Sequence, residues 1–576
     1  MRLPPALASV SRRRVLQGLG ATSLVGAAAP LVGAPRALGA AFVPVVRQPE
    51  FASVVRGEAE DGAAEALTRA GETWSAGGME VRCAVSAREV AVSMHAPGVP
   101  VRRVHLRWMG VTAAETRVLG DAWERSYGDL AWLPMQPERV LPWYCLLETA
   151  GGTHGYGVRT GAGAFAFWQV DTEGISLWLD VRNGGNGVML GDRQLGLARI
   201  VQREGQAGET VFAAAEGLCR LMAPEAPLRT ERGGLPVGTI FGSNDWYYAY
   251  GKNTPAGILR DAELMRALAP GSGPRPFTVI DDGYQDRATF PDMAKLAEEI
   301  RAREVVPGVW IRPLRAPAET PAGQLLPAVR FGKRADREEG RAYDPTVPEA
   351  RAAALAVVRE ARAWGYRLIK HDFTTWELLG QWGFQMGASP TMDGWSFHDR
   401  SQTNAEIIAG LYRDIRTAAG EDRMVLGCNT VGHLAAGIFD AQRTGDDVSG
   451  RAWERTRRMG VNTLAFRLPQ HRAFFAIDAD CVPITAKVPW ALTEQWLRAV
   501  SGSGTVLLVS PEPGAVGAEQ KRALRAAFAQ SVAAASGPAV PQDWVESRTP
   551  SQWRGEGREM RFGWVDPAVG ASPFSV

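Results

Sequence analysis

The chain lacks the cysteine and histidine patterns that identify metal sites. Its five cysteines are widely spaced, odd in number, and form no C-x-x-C pair. Zinc and iron–sulfur sites need thiolates at short, regular spacings, so neither is indicated. No H-x-H or carboxylate–histidine spacing suggests another metal centre. We therefore expect buried free thiols, no metal and no cofactor, with a structural disulfide as the alternative.

A strong charge of either sign is also absent. Lys and Arg number 64 against 62 Asp and Glu, which leaves a formal charge of +2, and the body of the chain has no extended basic run. Nucleic-acid binding is therefore not indicated. After the first forty residues, no segment is apolar enough to span a bilayer. The sequence does not indicate an oligomeric state.

The first forty residues form a separate unit. Arg12 to Arg14 precede an apolar Gly/Ala/Leu/Val segment, which is followed by small residues up to Ala41. This pattern resembles a twin-arginine export signal. A basic tail or a membrane anchor is the alternative, but the apolar segment is short for a spanning helix and is interrupted by Pro30 and Pro35. We expect residues 1–40 to be removed and the mature protein to be periplasmic or secreted.

The spacing of apolar residues in the rest of the chain changes twice and divides it into three regions. Residues 41–230 contain short alternating runs punctuated by glycine, such as "GISLWLDVRNG", which predict an antiparallel β-sandwich. Residues 231–510 alternate apolar strands with amphipathic helices and predict a (β/α)8 TIM barrel. Its eight predicted strands lie in segments 237–246, 276–284, 305–313, 366–373, 424–429, 439–447, 472–480 and 504–510. A doubly wound open sheet is the alternative, but no Gly-rich phosphate loop follows any strand. Residues 511–576 predict a small C-terminal β segment.

Carboxylates stand at the ends of three predicted strands. They are Asp281 and Asp282 in "VIDDGYQ", Asp372 in "IKHDF", and Asp446 and Asp447 in "RTGDDVSG". The carboxyl ends of barrel strands form the face where barrel enzymes have their active sites. Cleavage of an acetal needs one carboxylate at the anomeric carbon and one carboxylic acid for the leaving oxygen. Two aspartates on different strands are able to supply that pair.

The ordered motifs "IDDGYQ", "GVWIRP", "IKHDF", "GCN" and "RTGDD" resemble those of the α-galactosidase clan, glycoside hydrolase families 27 and 36. The resemblance covers mainly residues 236–510. It implies a retaining α-glycosidase, and in the family 36 branch a β-sandwich precedes the barrel, as predicted here. The implied partner is an oligosaccharide or glycoconjugate substrate.

The resemblance also assigns roles to the residues of the fourth and sixth strands. Asp372 is expected to be the nucleophile, and Lys370 to bind a sugar hydroxyl and lower the pKa of Asp372. Asp447 is expected to be the acid/base, with Asp446 as the competing assignment. Arg443 is expected to orient the nucleophile or to bind O2 of the sugar. For each of these residues, a structural role at a strand end is the alternative.

Further residues are expected to bind the sugar. The resemblance assigns Asp281 and Asp282 to the O4 and O6 hydroxyls, with a turn or helix cap as the alternative. Trp310 fits an aromatic floor, and Trp246 with Asp245 are further pocket candidates. Cys428 and Asn429 in "GCNTVGHL" are also assigned to the substrate, although this stretch departs from the family. His371 is expected to be packed or to support residues that contact the sugar. His433 has no assigned contact, and Trp123 is a candidate for an aromatic contact.

The expected substrate is a terminal α-D-galactoside. Because the C2 side of the pocket departs from the family, α-N-acetylgalactosaminides and β-L-arabinopyranosides stay open. A non-catalytic sugar-binding protein would retain the aromatic residues but would not need both Asp372 and Asp447. A metal-dependent barrel enzyme could use the same carboxylates together with His433.

Overall fold

The computed structural model of the chain describes residues 42–226, 230–334, 340–534, 537–555 and 557–574. The predicted export signal lies outside these residues. Among the described helices, none combines the length and the apolarity that crossing a membrane requires.

The first part of the described chain forms two antiparallel sheets. One has the strand order β10-β13-β14-β7-β1-β2 and the other the order β3-β4-β5-β6-β15-β12-β11-β8-β9. The strands are β1 Phe51–Arg56, β2 Ala64–Ala66, β3 Thr68–Ala70, β4 Thr73–Ala76, β5 Met79–Val85, β6 Val90–His95, β7 Val101–Met109, β8 Arg117–Gly120, β9 Leu133–Pro134, β10 Leu141–Pro142, β11 Tyr144–Thr149, β12 Gly152–Val158, β13 Phe165–Asp171, β14 Gly174–Asp180 and β15 Gln194–Arg203.

The two sheets pack face to face, as the alternating sequence pattern predicts. In β5 the buried residues Met79, Val81 and Cys83 alternate with exposed ones, so one face of the strand points into the core. Tyr156 of β12 lies against Trp168 of β13 in the other sheet, with ring centroids 6.0 Å apart. The helix α1, Val211–Met222, follows the sandwich and begins at Thr210, whose side chain accepts a hydrogen bond from the backbone N–H of Ala213.

The second part forms a parallel sheet that curls into a barrel. A short hairpin of β16 and β17 precedes it, and the sheet has the order β24-β23-β22-β21-β20-β19-β18-β26-β25. A parallel bridge between Asp478 and Val506 brings β24 to the start of β26. The strands are β16 Glu231–Arg232, β17 Leu235–Pro236, β18 Phe241–Asn244, β19 Phe277–Ile280, β20 Val306–Ile311, β21 Leu368–His371, β22 Met424–Gly427, β23 Ala441–Arg443, β24 Ala476–Asp478, β25 Val482–Ile484 and β26 Leu507–Pro511.

The eight predicted barrel strands correspond to β18 to β24 and β26, each in its predicted segment apart from Pro511. The helices between and after them are α2 Trp246–Ala249, α3 Pro255–Leu268, α4 Met293–Ala302, α5 Pro348–Ala363, α6 Thr374–Leu379, α7 Asn404–Ala419, α8 Gly432–Ala435, α9 Trp453–Arg455, α10 Thr463–Arg467, α11 Trp490–Ser503 and α12 Ala518–Ala533. A π-helical turn, Thr456–Asn462, joins α9 to α10.

The C-terminal segment contains more than the predicted β structure. It begins with α12, whose buried Phe528 lies 5.1 Å from the ring of Phe241 on β18. This helix packs against α11 and α3 and therefore belongs to the ring of helices around the barrel. Its sequence, "AEQKRALRAAFAQSVA", buries few large apolar side chains, which is why its helical pattern is weak. The β structure follows as β27 Val540–Pro541, β28 Gln552–Gly555 and β29 Arg558–Arg561.

A loop between β8 and β9 connects the sandwich to the barrel. We call residues 121–131 the Arg125 loop. The backbone N–H of Ser126 donates to the carbonyl of Thr444 at 2.9 Å, and the N–H of Asp446 donates to the carbonyl of Ser126 at 2.9 Å. Arg467 of α10 donates to Asp121 at 2.8 Å. The loop thus extends the pairing at the carboxyl end of β23 and brings Arg125 beside the strand-end carboxylates.

Candidate active site

A cavity of about 340 Å³ opens at the carboxyl ends of the barrel strands. Every residue predicted to be catalytic or substrate-binding lines it except Asn429, and the further pocket candidate Asp245 also lies outside the lining. The lining residues are Arg125, Tyr127, Trp246, Tyr247, Asp281, Asp282, Trp310, Lys370, Asp372, Phe373, Trp382, Phe384, Cys428, Arg443, Asp446 and Asp447. Residues of β18 to β23 and of the loops after them therefore converge with two residues from the Arg125 loop.

Asp372 follows directly on β21 and is held by two N–H donors. The indole Nε1 of Trp310 donates to Oδ2 at 3.1 Å, and the backbone N–H of Phe373 donates to Oδ1 at 2.7 Å. Phe373 has a φ of 64°, a left-handed conformation that is uncommon for a residue with a side chain. These contacts orient a half-buried carboxylate toward the cavity.

Lys370 is paired with a different aspartate from the one expected. Its ammonium group lies 2.8 Å from Oδ2 of Asp281, which also accepts from the side-chain amide of Asn244 at 2.7 Å. Burial alone would lower the pKa of Lys370, but the charge of Asp281 outweighs it, and the pKa lies well above its ordinary value. Lys370 therefore stays charged and secures Asp281 at the floor of the cavity.

Asp281 and Asp282 both line the cavity although they are consecutive. The strand β19 ends at Ile280, so the two aspartates lie in a turn and not on opposite faces of a strand. The backbone N–H of Asp281 donates to Asp245 at 2.8 Å, and the amide of Asn253 donates to the carbonyls of both aspartates at 3.2 Å. Burial and the neighbouring Asp281 raise the pKa of Asp282.

The neighbours Asp446 and Asp447 differ in how many of their carboxylate oxygens pair with arginine side chains. Both oxygens of Asp446 are held, one by Arg125 at 3.1 Å and the other by Arg455 at 2.6 Å. Asp447 accepts through Oδ1 alone, from Arg443 at 2.9 Å, with Arg125 at 3.8 Å. Among the described residues, none forms a hydrogen bond or an ion pair with its Oδ2. Only Asp447 has an oxygen available to a ligand, which favours it over Asp446 as the acid/base.

The pKa of Asp447 reflects these arginines. Burial raises it, but the charges of Arg443, Arg125 and Lys370 together outweigh burial, and the pKa lies below its ordinary value. In the unliganded cavity Asp447 is therefore ionised at neutral pH. An acid role at this position requires the bound substrate to change its surroundings.

Several residues of the site were not predicted from the sequence. Asp480, two residues after β24, accepts from Arg443 at 2.6 Å and from the backbone N–H of Val448 at 2.9 Å. Burial raises the pKa of Asp480 to about 6 although Arg443 opposes the shift. The stretch "AIDADC" contained the signal for it, since this strand also ends in carboxylates. Arg125 and Tyr127 lie in the sandwich stretch "GDAWERSYGDLAW", for which the sequence left open whether it only packs on the barrel or contributes to a subsite. Trp382 and Phe384 come from a loop and had no local signal.

Asn429, His433, His371 and Trp123 also lie outside the cavity. Asn429 is buried, accepts from the backbone N–H of Trp376 at 2.9 Å and donates to Glu124, so its amide is engaged by protein. The ring of His433 stacks 4.5 Å from that of Trp143. His371 is packed, as expected, against Phe439 at 4.8 Å.

Trp123 is buried in the core of the sandwich, 5.5 Å from Trp143 in an edge-to-face contact, so it does not provide an aromatic contact for a ligand. Burial lowers the pKa of His433 to about 3 and that of His371 to about 4, and both rings are therefore neutral at physiological pH.

Metal ligation has no candidate in the part of the chain that the structure describes. No group of three or more His, Cys, Asp or Glu side chains is arranged to hold a metal ion there. All five cysteines are buried free thiols, as expected.

No protein-family model matches the chain. Among solved structures, it is similar to the α-galactosidase TtGalA from Thermus thermophilus in complex with p-nitrophenyl α-D-galactopyranoside, with 20% identity, a TM-score of 0.56, and coverage of 84% of this chain and 96% of that one. A variant of the family 36 α-galactosidase AgaA from Geobacillus stearothermophilus, in complex with 1-deoxygalactonojirimycin, gives 10% identity, a TM-score of 0.54, and coverage of 88% and 79%. The fold is that of the α-galactosidase clan, as the motifs predicted.

Proposed function

We propose that this chain is a retaining α-glycosidase that hydrolyses terminal α-D-galactosides, with Asp372 as the nucleophile and Asp447 as the acid/base. The proposal rests on the carboxylates that line one cavity. It contains an oriented carboxylate directly after β21, a second carboxylate with an available oxygen after β23, and the Asp281–Lys370 pair at its floor. The likeness to α-galactosidases supports the same reaction.

In the first step, an oxygen of Asp372 attacks the anomeric carbon and forms a glycosyl ester. The glycosidic C–O bond breaks, and the leaving oxygen takes a proton from Asp447. In the second step, Asp447 takes a proton from a water molecule, which attacks the anomeric carbon and releases Asp372 as a carboxylate. The two inversions leave the configuration at the anomeric carbon unchanged.

The environment of Asp447 is suited to both steps. A bound sugar excludes water from the cavity, which raises the pKa of a carboxylate, and the negative charge of Asp372 acts in the same direction. When Asp372 becomes an ester, that charge disappears. Arg443 at 2.9 Å then favours the ionised form of Asp447, which is the form that a general base needs.

The sugar is assigned through the aspartate pair after β19. If Asp281 and Asp282 accept from O4 and O6, an epimer with an equatorial O4 leaves a buried carboxylate without its hydrogen bond. That loss costs about 1–3 kcal/mol or more, which is larger than the loss of an apolar contact. We therefore expect α-D-galactosides to be preferred over α-D-glucosides.

The test is a comparison of kcat/KM on the p-nitrophenyl glycosides of α-D-galactose, α-D-glucose, N-acetyl-α-D-galactosamine and β-L-arabinopyranose. Preference for the glucoside would contradict the assignment of the aspartate pair. NMR of the first-released anomer reports the mechanism, and an inverted product would rule out a covalent intermediate. Asp372→Ala should lower kcat by about 10⁴-fold or more. Loss of activity after chelation would instead support a metal-dependent enzyme, and binding without turnover a sugar-binding protein.

A further inference from the structure

The cavity that contains Asp447 is also lined by aromatic side chains from two distant segments. Tyr127 comes from the Arg125 loop, and Trp382 and Phe384 come from the segment after α6. The rings of Tyr127 and Phe384 meet edge to face at 4.9 Å. The guanidinium of Arg125 lies 5.4 Å from the ring of Trp382 and 5.9 Å from that of Tyr127. We call Tyr127, Trp382 and Phe384 the aromatic wall.

A buried carboxylate holds the two halves of the wall together. Glu124, 1% exposed, accepts from the backbone N–H of Gly383 at 2.7 Å and from the hydroxyl of Tyr127 through the same oxygen. Its other oxygen accepts from the amide of Asn429. One side chain therefore links the sandwich loop, the segment after α6 and the end of β22. Asn429 contributes to the site by supporting this wall.

The approach of the two segments is close enough to require glycine at position 383. A Cβ added there would lie 2.8 Å from Cγ of Glu124 and 2.9 Å from Cε2 of Tyr127. Distances below 3.0 Å would force the segments apart. The wall is thus a packed arrangement, and contacts between its two segments define the position of each half.

Arg125 connects the wall to the carboxylates that follow β23. Arg125 contacts Asp446 at 3.1 Å and lies 3.8 Å from Asp447, whereas the Asp281–Lys370 pair is contributed by β19 and β21. Phe384 nevertheless leaves 60% of its surface exposed. Phe384 and Tyr127 are in ring contact, so they form a contiguous apolar patch at the cavity, which is a feature of ligand-binding grooves. Aromatic faces stack on the apolar faces of sugar and aryl rings.

We propose that the aromatic wall is an aglycone subsite, which binds a ring-shaped leaving group, either an aryl group or a pyranose, by stacking. The inference rests on the proposed function, because Asp447 as the acid/base defines the leaving-group side. In this proposal, the carboxylates and Lys370 bind the glycone. The aromatic rings stack on the leaving group, and Arg125 donates hydrogen bonds to it. The enzyme then selects α-galactosides with ring aglycones over those without.

The test compares Phe384→Ala with Phe51→Ala, a matched control, since Phe51 on the sandwich is 59% exposed. Three substrates are used: α-D-galactosyl fluoride, which has no ring aglycone, p-nitrophenyl α-D-galactoside and an α-galactosyl disaccharide. Phe384→Ala should lower kcat/KM on the two ring aglycones by about tenfold, mainly through KM. Its kcat/KM on the fluoride and its Ki for free galactose should match the wild type. Phe51→Ala should change none of these values.

The three substrates distinguish failure of the aglycone subsite from failure of the proposed function. Equal losses on the fluoride and on the ring aglycones, or no loss on any substrate, would overturn the subsite and leave the proposed function intact. Failure of the wild-type enzyme to hydrolyse any of the three substrates would overturn the proposed function, and the subsite with it.

Discussion

At the scale of single residues, neighbouring side chains of the same type differ in role because their partners differ. Asp446 and Asp447 are adjacent carboxylates, yet two arginines occupy both oxygens of the first and leave one oxygen of the second available. The available oxygen is what an acid/base needs, since a proton must pass between it and the leaving group.

This difference predicts opposite results for two asparagine variants. Asp447→Asn should slow hydrolysis of substrates with poor leaving groups by about 10²–10⁴-fold, and of dinitrophenyl substrates far less, because activated leaving groups barely need an acid. Asp446→Asn should retain the wild-type dependence on leaving group and lower the free energy of unfolding by about 1–3 kcal/mol. Steady-state kinetics across a series of aryl galactosides measures the dependence. A steep dependence in Asp446→Asn would reverse the assignment.

A second prediction concerns Asp245, which is buried behind the aspartate pair. Burial, and then the charge of Asp281, raise its pKa from an ordinary value of 3.8 to about 7. A raised pKa means that the folded protein binds the proton more tightly than the unfolded chain. The stability from this group is therefore fully present below about pH 4 and is lost as pH rises through 7.

Asp245→Asn removes this titration and keeps an oxygen for the N–H of Asp281. The variant should gain stability relative to the wild type between pH 4 and pH 8, by roughly 2–4 kcal/mol over the window. Urea unfolding at pH 4, 6 and 8 gives the difference in the free energy of unfolding between the two proteins. A difference that does not change with pH, or that moves in favour of the wild type as pH rises, would show that Asp245 is ionised throughout.

At the scale of elements, α12 shows how a helix is defined by its packing. Phe528 is fully buried against Phe241 of β18. Phe528→Ala should lower the free energy of unfolding by about 3–5 kcal/mol through lost burial and a cavity. Lys521→Ala, on the same helix, should change it by less than about 0.5 kcal/mol. Similar small effects of both variants in urea unfolding would contradict the packing of α12 on the barrel.

At the scale of the whole molecule, the sandwich completes the cavity of the barrel. The Arg125 loop is hydrogen-bonded to Thr444 and Asp446 at the end of β23, and Arg467 donates to Asp121 at its start. Arg125 therefore reaches Asp446 and Asp447 from outside the barrel. The barrel alone would lack Arg125, Tyr127 and the carboxylate of Glu124.

The proposed export route also concerns the whole molecule. A twin-arginine signal exports proteins that are already folded, and five buried free thiols are compatible with folding before export. Replacing Arg12 and Arg13 by lysine should leave unprocessed precursor in the cytoplasm, because the receptor reads the arginine pair and not charge alone. Immunoblotting of cell fractions measures this. A double-lysine protein that is processed and exported normally would contradict the prediction.

The sequence by itself determined the barrel strands and the chemistry at their ends. Each strand is a short apolar run that ends in a polar or glycine-containing stretch, and parallel closure places all those ends on one face. Asp281, Asp372 and Asp447 could therefore be predicted as neighbours before any contact was known. The same local patterns predicted the sandwich and the packed position of His371.

Only the tertiary structure decided which partner each charge has. Lys370 lies two residues from Asp372 in the chain, yet it pairs with Asp281, 89 positions away. Arg125 meets Asp447 across 322 positions, and Glu124 meets Asn429 across 305. Asn429 and His433 lie outside the cavity because their partners, Glu124 and Trp143, also come from distant segments of the chain. Local pattern reports which face a residue occupies, whereas ion pairing and burial depend on the distances between segments far apart in the chain, and only the packed fold sets these.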